Sequence, residues 1–114
     1  MTPAQRALIR RPSPRLTEGL ISHIERVPVD AELADRQWAD YVRALTDQGW
    51  RTVEVPAADD CPDGVFVEDT VVMVAGTAVI SSPGAAQRKP ETAGTESTLA
   101  GLGYPIARVT GGTL

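Results

Sequence analysis

The chain has 114 residues, a length that suits one ordinary domain. It is 42% hydrophobic and 23% charged, with a mean hydropathy of −0.12, so a globular protein with a single core is expected. A net charge of −4 excludes the basic footprint of a nucleic-acid binder, no run of 18 apolar residues could span a membrane, and one cysteine, Cys61, excludes a disulfide framework or a cysteine-rich zinc site. Residues 1–11 hold no long apolar stretch of the signal-peptide kind, so a cytoplasmic protein is the expectation.

Ala7-Leu8-Ile9-Arg10 reads as a short strand, ended by Pro12-Ser13-Pro14. Leu16, Leu20 and Ile24 recur at a spacing of four, but Gly19 and Pro28 weaken the pattern. Residues 15–29 are therefore expected to form a mobile loop with a helical turn. Asp30 is a good helix N-cap, and Glu32 suits the positive helix end. Ala34, Trp38, Tyr41 and Leu45 then mark one face of an amphipathic helix, which Gly49 ends. Arg51-Thr52-Val53-Glu54-Val55 alternates like a strand and stops at Pro56. Val65-Phe66-Val67 and Val71-Val72-Met73-Val74 are β-rich runs. Ala75-Gly76 is a tight turn into a strand over Thr77-Ala78-Val79-Ile80-Ser81. After a loop around Pro83-Gly84, Pro90 begins a helix that runs to Leu102 and is capped by Gly103. Tyr104 to Val109 is the last expected strand.

Two patterns cut across these elements. The first is a repeat: Leu45 and Leu99, Gly49 and Gly103, Trp50 and Tyr104, and Val55 and Val109 are each separated by the same 54 positions. Both sites read helix, glycine, aromatic, strand. Repeat folds hide the open face of one unit against the next and usually need three or more units, so the chain reads as part of a larger domain. A complete ferredoxin-like βαββαβ sandwich is the alternative, because it also repeats a βαβ unit. The second pattern is charge. Residues 1–26 carry five arginines and two acids, a balance of +3, which leaves −7 for the rest. Residues 54–69 hold six acids (Glu54, Asp59, Asp60, Asp63, Glu68, Asp69) and no base. Such a cluster is either a solvated loop or the seat of a cation.

The candidate chemistry lies in Pro62-Asp63-Gly64-Val65-Phe66-Val67-Glu68-Asp69-Thr70. An extended segment would put Asp63, Val65, Val67 and Asp69 on one face and Glu68 on the other. Asp63 and Asp69 would then lie roughly 20 Å apart and meet one ligand only if it is long or the segment bends. A ligand with two separated positive groups, such as an amino acid with a basic side chain, would suit the pair. The same carboxylates could take Mg²⁺ or Ca²⁺, but no calcium-loop pattern accompanies them. Arg88 could fork onto a carboxylate. His23, the single histidine, has no convincing catalytic partners. Asp59, Asp60 and Asp63 near Cys61 would raise its thiol pKa, which disfavours a nucleophile. Gly111-Gly112 is too short for a phosphate loop.

Pro62-Asp63-Gly64-Val65-Phe66-Val67-Glu68-Asp69, followed by Ala78-Val79-Ile80-Ser81-Ser82-Pro83-Gly84-Ala85 and Arg88, resembles the dimethylarginine dimethylaminohydrolase family of the pentein superfamily. Arg10, a Leu16-x-x-Gly19-Leu20 loop, and Arg36-Gln37 with Tyr41 after Asp30 stand in the family's order. The resemblance implies an α/β propeller of five repeated ββαβ-type units, of which about two are present: residues 1–56, with a lid loop over 15–29, and residues 57–114. It implies hydrolysis of Nω-methylated arginines to citrulline and methylamines through a Cys thiouronium intermediate, without a metal or cofactor. By the same resemblance Asp69 would hold the guanidinium and Asp63 the α-amino group. Arg88 would meet the α-carboxylate, Leu20 would offer a lid carbonyl, and Glu68 would be a neighbouring binding acid. The family's nucleophilic Cys and its His are expected beyond Leu114, so this chain alone is expected to be an inactive fragment that supplies substrate-binding residues. Arginine deiminase or another guanidine-modifying relative is the nearest alternative. A non-catalytic α/β binding module, self-associating through exposed faces of the incomplete propeller, is the other. The expected partner is a small-molecule substrate, with no nucleic acid and no membrane.

Overall fold

The structure, a computed structural model, describes residues 5–18 and 30–112. Leu20, His23 and most of the expected lid loop lie outside the described residues; of that loop, Leu16–Glu18 forms a short 3-10 turn. The elements are β1 (Arg6–Ile9), α1 (Ala31–Asp47), β2 (Arg51–Glu54), β3 (Val71–Val74), β4 (Thr77–Ile80), α2 (Glu91–Gly101) and β5 (Ile106–Arg108). Further 3-10 turns occupy Val67–Asp69 and Ala86–Arg88.

Strands β1 and β2 pair in parallel, Arg6 opposite Arg51. Strands β3 and β4 form an antiparallel hairpin, and β5 adds in parallel to β4, Ala78 opposite Ile106. Each parallel pair is joined through a helix, as parallel strands require. Strands β2 and β3 lie in different sheets. The single four-stranded sheet of a ferredoxin-like sandwich is therefore not what this sequence forms.

The 54-residue repeat has a physical counterpart at the helix ends. Gly49 has φ +88° and Gly103 has φ +91°, the left-handed conformation that glycine adopts without strain. Gly49 N–H donates to Thr46 O and Trp50 N–H to Leu45 O, each at 3.0 Å. Gly103 N–H donates to Ala100 O at 3.0 Å and Tyr104 N–H to Leu99 O at 3.1 Å. Both helices thus close with the same double hydrogen bond, which satisfies their last carbonyls and turns the chain into the following strand. Even the strand exits correspond: Val55 N–H donates to Ile9 O at 2.7 Å, and Val109 N–H to Ile80 O at 3.1 Å.

Helix α1 starts as expected, with the Asp30 carboxylate accepting from Leu33 N–H at 3.0 Å. Its half-buried stripe is Ala34, Trp38, Val42 and Leu45. Tyr41, expected on that face, is 59% exposed, because Val42 fills the place between Trp38 and Leu45. In α2, Pro90 is the residue before the helix rather than its first turn, and the helix ends at Gly101. The last strand is only Ile106–Arg108.

The buried centre is Ala78, Ile80 and Leu99, with Leu8, Val71, Tyr104 and Ile106 packed against it. Alternation along β4 turns Ala78 and Ile80 inward. Leu8 of β1 reaches this centre from the other sheet, so both sheets share one core. Among the described residues no helix is long and apolar enough to cross a membrane.

Candidate functional site

The acidic segment does not extend. Gly64 N–H donates to Cys61 O, Phe66 N–H to Asp63 O, Asp69 N–H to Phe66 O and Thr70 N–H to Val67 O, at 2.9, 3.0, 3.0 and 3.0 Å. The β-rich look of Val65-Phe66-Val67 is overridden by these local turns, which Asp63-Gly64 initiates. A Cβ at Gly64 would lie 3.1 Å from Cys61 O and 3.2 Å from the Ala58 Cβ, so a larger residue would fit only if its neighbours gave way by a few tenths of an ångström. The coiling brings Asp63 and Asp69 much nearer than an extended chain would. It also removes the opposite-face relation of Glu68 and Asp69: both line one pocket.

That pocket, of about 370 Å³, is lined by Glu68, Asp69, Val72, Ser81, Pro83, Gly84 and Arg88. Asp69 is anchored through its backbone, since Ser81 Oγ donates to Asp69 O at 2.7 Å. Ser81 N–H holds the next carbonyl, Thr70 O, at 2.9 Å. The Thr70 hydroxyl lies 2.6 Å from Val67 O and 2.9 Å from Thr95 Oγ1, both threonines being buried. Its single proton serves the carbonyl, so Thr95 supplies the other. The 3-10 turn bearing Glu68 and Asp69 is thereby bolted to α2.

Arg88 is the hub. Its Nε donates to Glu91 Oε2 and its Nη2 to Glu91 Oε1, both at 2.9 Å. Nη2 also donates to Asp63 O at 3.3 Å, and Nη1 donates to Asp69 Oδ2 at 3.0 Å. The Glu91 hydrogen bonds above all, and Asp69 after them, raise the Arg88 pKa further above an already high value, so the guanidinium is permanently charged.

The expected site residues therefore separate. Glu68, Asp69 and Arg88 meet at one pocket. Asp63 is buried and is not among the residues lining that pocket, and its backbone oxygen accepts from Arg88 Nη2. Leu20 lies outside the described residues. With carboxylates at Glu68, Asp69 and Glu91 against one arginine, the pocket favours a cation, and Asp69, with its side chain 53% exposed, is the carboxylate presented to it.

Two buried groups carry this geometry without standing out in the sequence. Glu91 is 1% exposed. Its spacing of three from Arg88 at a helix start is the one available signal. Arg10 is also 1% exposed, and its guanidinium donates to Pro56 O at 3.0 Å, Gly64 O at 3.5 Å and Glu91 O at 3.0 Å. It ties β1, the 56–64 loop and the start of α2 together. Nothing in the sequence marks a strand-end arginine as buried.

Cys61 is buried, and its Sγ approaches Gln87 O at 3.7 Å. Its thiol pKa is raised, as expected, but the first cause is burial, followed by Glu91; of the neighbouring acids only Asp60 contributes. Among the described residues no group of three or more His, Cys, Asp or Glu side chains could hold a metal ion.

No protein-family model matches the chain. It is 57% identical over 104 residues to an N(G),N(G)-dimethylarginine dimethylaminohydrolase of Streptomyces coelicolor, covering 91% of this chain and 40% of the relative. It is 35% identical over 92 residues to the enzyme of that name from Pseudomonas aeruginosa, covering 81% and 36%. The chain thus spans about two-fifths of the length of these curated relatives. Among solved structures, a dimethylarginine dimethylaminohydrolase adduct with S-methyl-L-thiocitrulline superposes with a TM-score of 0.86 at 33% identity, covering 96% of this chain and 44% of that one. The N-terminal domain of ArgZ, a cyanobacterial arginine dihydrolase, shares the fold with a TM-score of 0.81 at 18% identity, covering 92% and 40%. By sequence and by fold this chain belongs with the dimethylarginine dimethylaminohydrolases, matching the N-terminal portion of these pentein-type α/β-propeller proteins.

Proposed function

We propose that the chain supplies the cation-binding part of an active site that hydrolyses Nω-methylated arginines to citrulline and methylamines. The observation that carries this reading is the Asp69 carboxylate, held by Arg88 at the rim of a pocket it shares with Glu68. A fixed carboxylate orients a planar guanidinium and keeps it cationic, hence open to attack at its carbon. In the reaction a thiolate adds to that carbon, the methylated amine leaves, and water releases citrulline from the thiouronium. Cys61 is no candidate for the attack, because it is buried with a raised pKa. The 114 residues alone are therefore expected to bind without turnover. Two relatives support a small amino acid as ligand, one solved with S-methyl-L-thiocitrulline and one with citrulline. On this reading residues 1–56 and 57–114 are successive repeat units, Asp63 and Leu20 are further substrate contacts, and the protein works in the cytoplasm.

The test is citrulline formation by the full-length protein, with asymmetric dimethylarginine and arginine offered separately. Asp69→Asn is expected to lower kcat/KM by about a hundredfold or more, the usual loss for one charge-stabilising contact. A preference for arginine would move the reading to a deiminase-type relative. Full activity in the Asp69→Asn protein would overturn it.

A further inference from the structure

We infer that Glu91 is a positioning residue: it does not touch the ligand, but it fixes the plane of Arg88 and so sets which hydrogen Arg88 offers to the pocket. The inference rests on the reading of the pocket proposed above.

Glu91 belongs to the first turn of α2 and is buried, with 1% exposed, whereas Arg88 lines the pocket. A guanidinium has five N–H donors in a rigid fork. In Arg88 the Nε hydrogen and one Nη2 hydrogen go to the two oxygens of Glu91. The second Nη2 hydrogen goes to Asp63 O, and one Nη1 hydrogen goes to Asp69 Oδ2. Among the described residues, the second Nη1 hydrogen is the only one uncommitted. The bidentate edge of Arg88 is thus spent inward on Glu91, and the ligand meets a single N–H beside a carboxylate.

Planarity makes this consequential. Two parallel bonds to Glu91 leave the guanidinium little freedom to rotate, so the orientation of Nη1 is decided at a residue the ligand never reaches. Glu91 is itself fixed from behind, because Arg10 Nη2 donates to its backbone oxygen at 3.0 Å. The charge balance agrees: Arg88 is shared between Glu91 and Asp69, and the three side chains together keep one net negative charge beside the pocket. Without Glu91, Arg88 would turn its fork onto Asp69 and cancel that charge.

The test is Glu91→Gln in the full-length protein. Its amide NH₂ faces an arginine donor, so one of the two parallel bonds is lost while size is kept. We expect KM for asymmetric dimethylarginine to rise about tenfold or more, with kcat changed by less than about threefold. Adding Glu91→Gln to Arg88→Ala should raise KM no further, since Glu91 acts through Arg88. In ¹⁵N NMR spectra the Arg88 Nε–H should exchange slowly with solvent in the wild type and quickly in Glu91→Gln. A lowered melting temperature with KM unchanged would overturn the inference, as would a KM effect that persists without Arg88. If the wild-type protein turns over no methylated arginine, the functional reading fails, and the Arg88 Nε–H exchange rate alone then decides whether Glu91 fixes Arg88.

Discussion

Cys61 shows how one residue's surroundings decide its chemistry. A thiol between Asp60 and Pro62 looks like an exposed loop group, yet it is 3% exposed. Burial acts first on its pKa and Glu91 second, and both favour the neutral thiol. The folded pKa is therefore above that of the unfolded chain. Any stability linked to this proton is fully present below the unfolded thiol pKa, at about 8.5, and is lost as pH rises through the higher folded value. Two consequences follow. At pH 8 a thiol reagent should modify the folded protein more slowly than the denatured one, since burial blocks access and the raised pKa lowers the thiolate fraction. Above pH 9 the melting temperature of the wild type should fall faster than that of Cys61→Ala. Equal modification rates in folded and denatured protein would show that Cys61 is not held as described.

At the scale of elements, the two glycines of α2 make opposite demands although they share one helix. A Cβ at Gly101 would meet nothing within 4 Å, whereas a Cβ at Gly94 would lie 3.0 Å from Arg10 Nη2. Gly101→Ala should therefore stabilise the protein by roughly 0.5–1 kcal/mol through helix propensity. Gly94→Ala should destabilise it by about 1–3 kcal/mol, because it pushes on a buried guanidinium that holds three carbonyls. Thermal or urea unfolding of the two variants checks the sign. The contrast also marks what is legible in the sequence. Helix stops, the Asp30 cap and the Ala75-Gly76 turn follow from local chemistry, and Gly49 with Gly103 marks the repeated helix end. Val65-Phe66-Val67 misleads, because β propensity describes fit to a neighbouring strand, and among the described residues no strand pairs with it. Glu68 and Asp69 are legible as site acids, but their shared pocket depends on a turn that propensity hides. Arg10 and Glu91 are not legible, because only tertiary packing makes a charged residue buried.

For the molecule as a whole, the weak point is β3. It sits at the edge of its sheet, and Val72, Met73 and Val74 are 46%, 47% and 54% exposed. The run Val71–Val74 carries no charge, and its outer backbone groups face no strand among the described residues. An uncharged apolar edge strand is a template for pairing with another chain. Its antiparallel partner β4 covers only one of its edges, and of the run Val71 packs against the core of Ala78, Ile80 and Leu99. In the absence of a covering surface, the 114-residue chain should associate with a second copy of itself through β3. Sedimentation velocity should then show a sedimentation coefficient that rises with concentration. Val74→Lys places a charge on the edge, two residues beyond Val72 and clear of the Arg88–Glu91–Asp69 network, and should return the chain to a monomer without changing the Arg88 Nε–H signal. A wild-type chain that stays monomeric at its highest soluble concentration would show that the β3 edge is already protected.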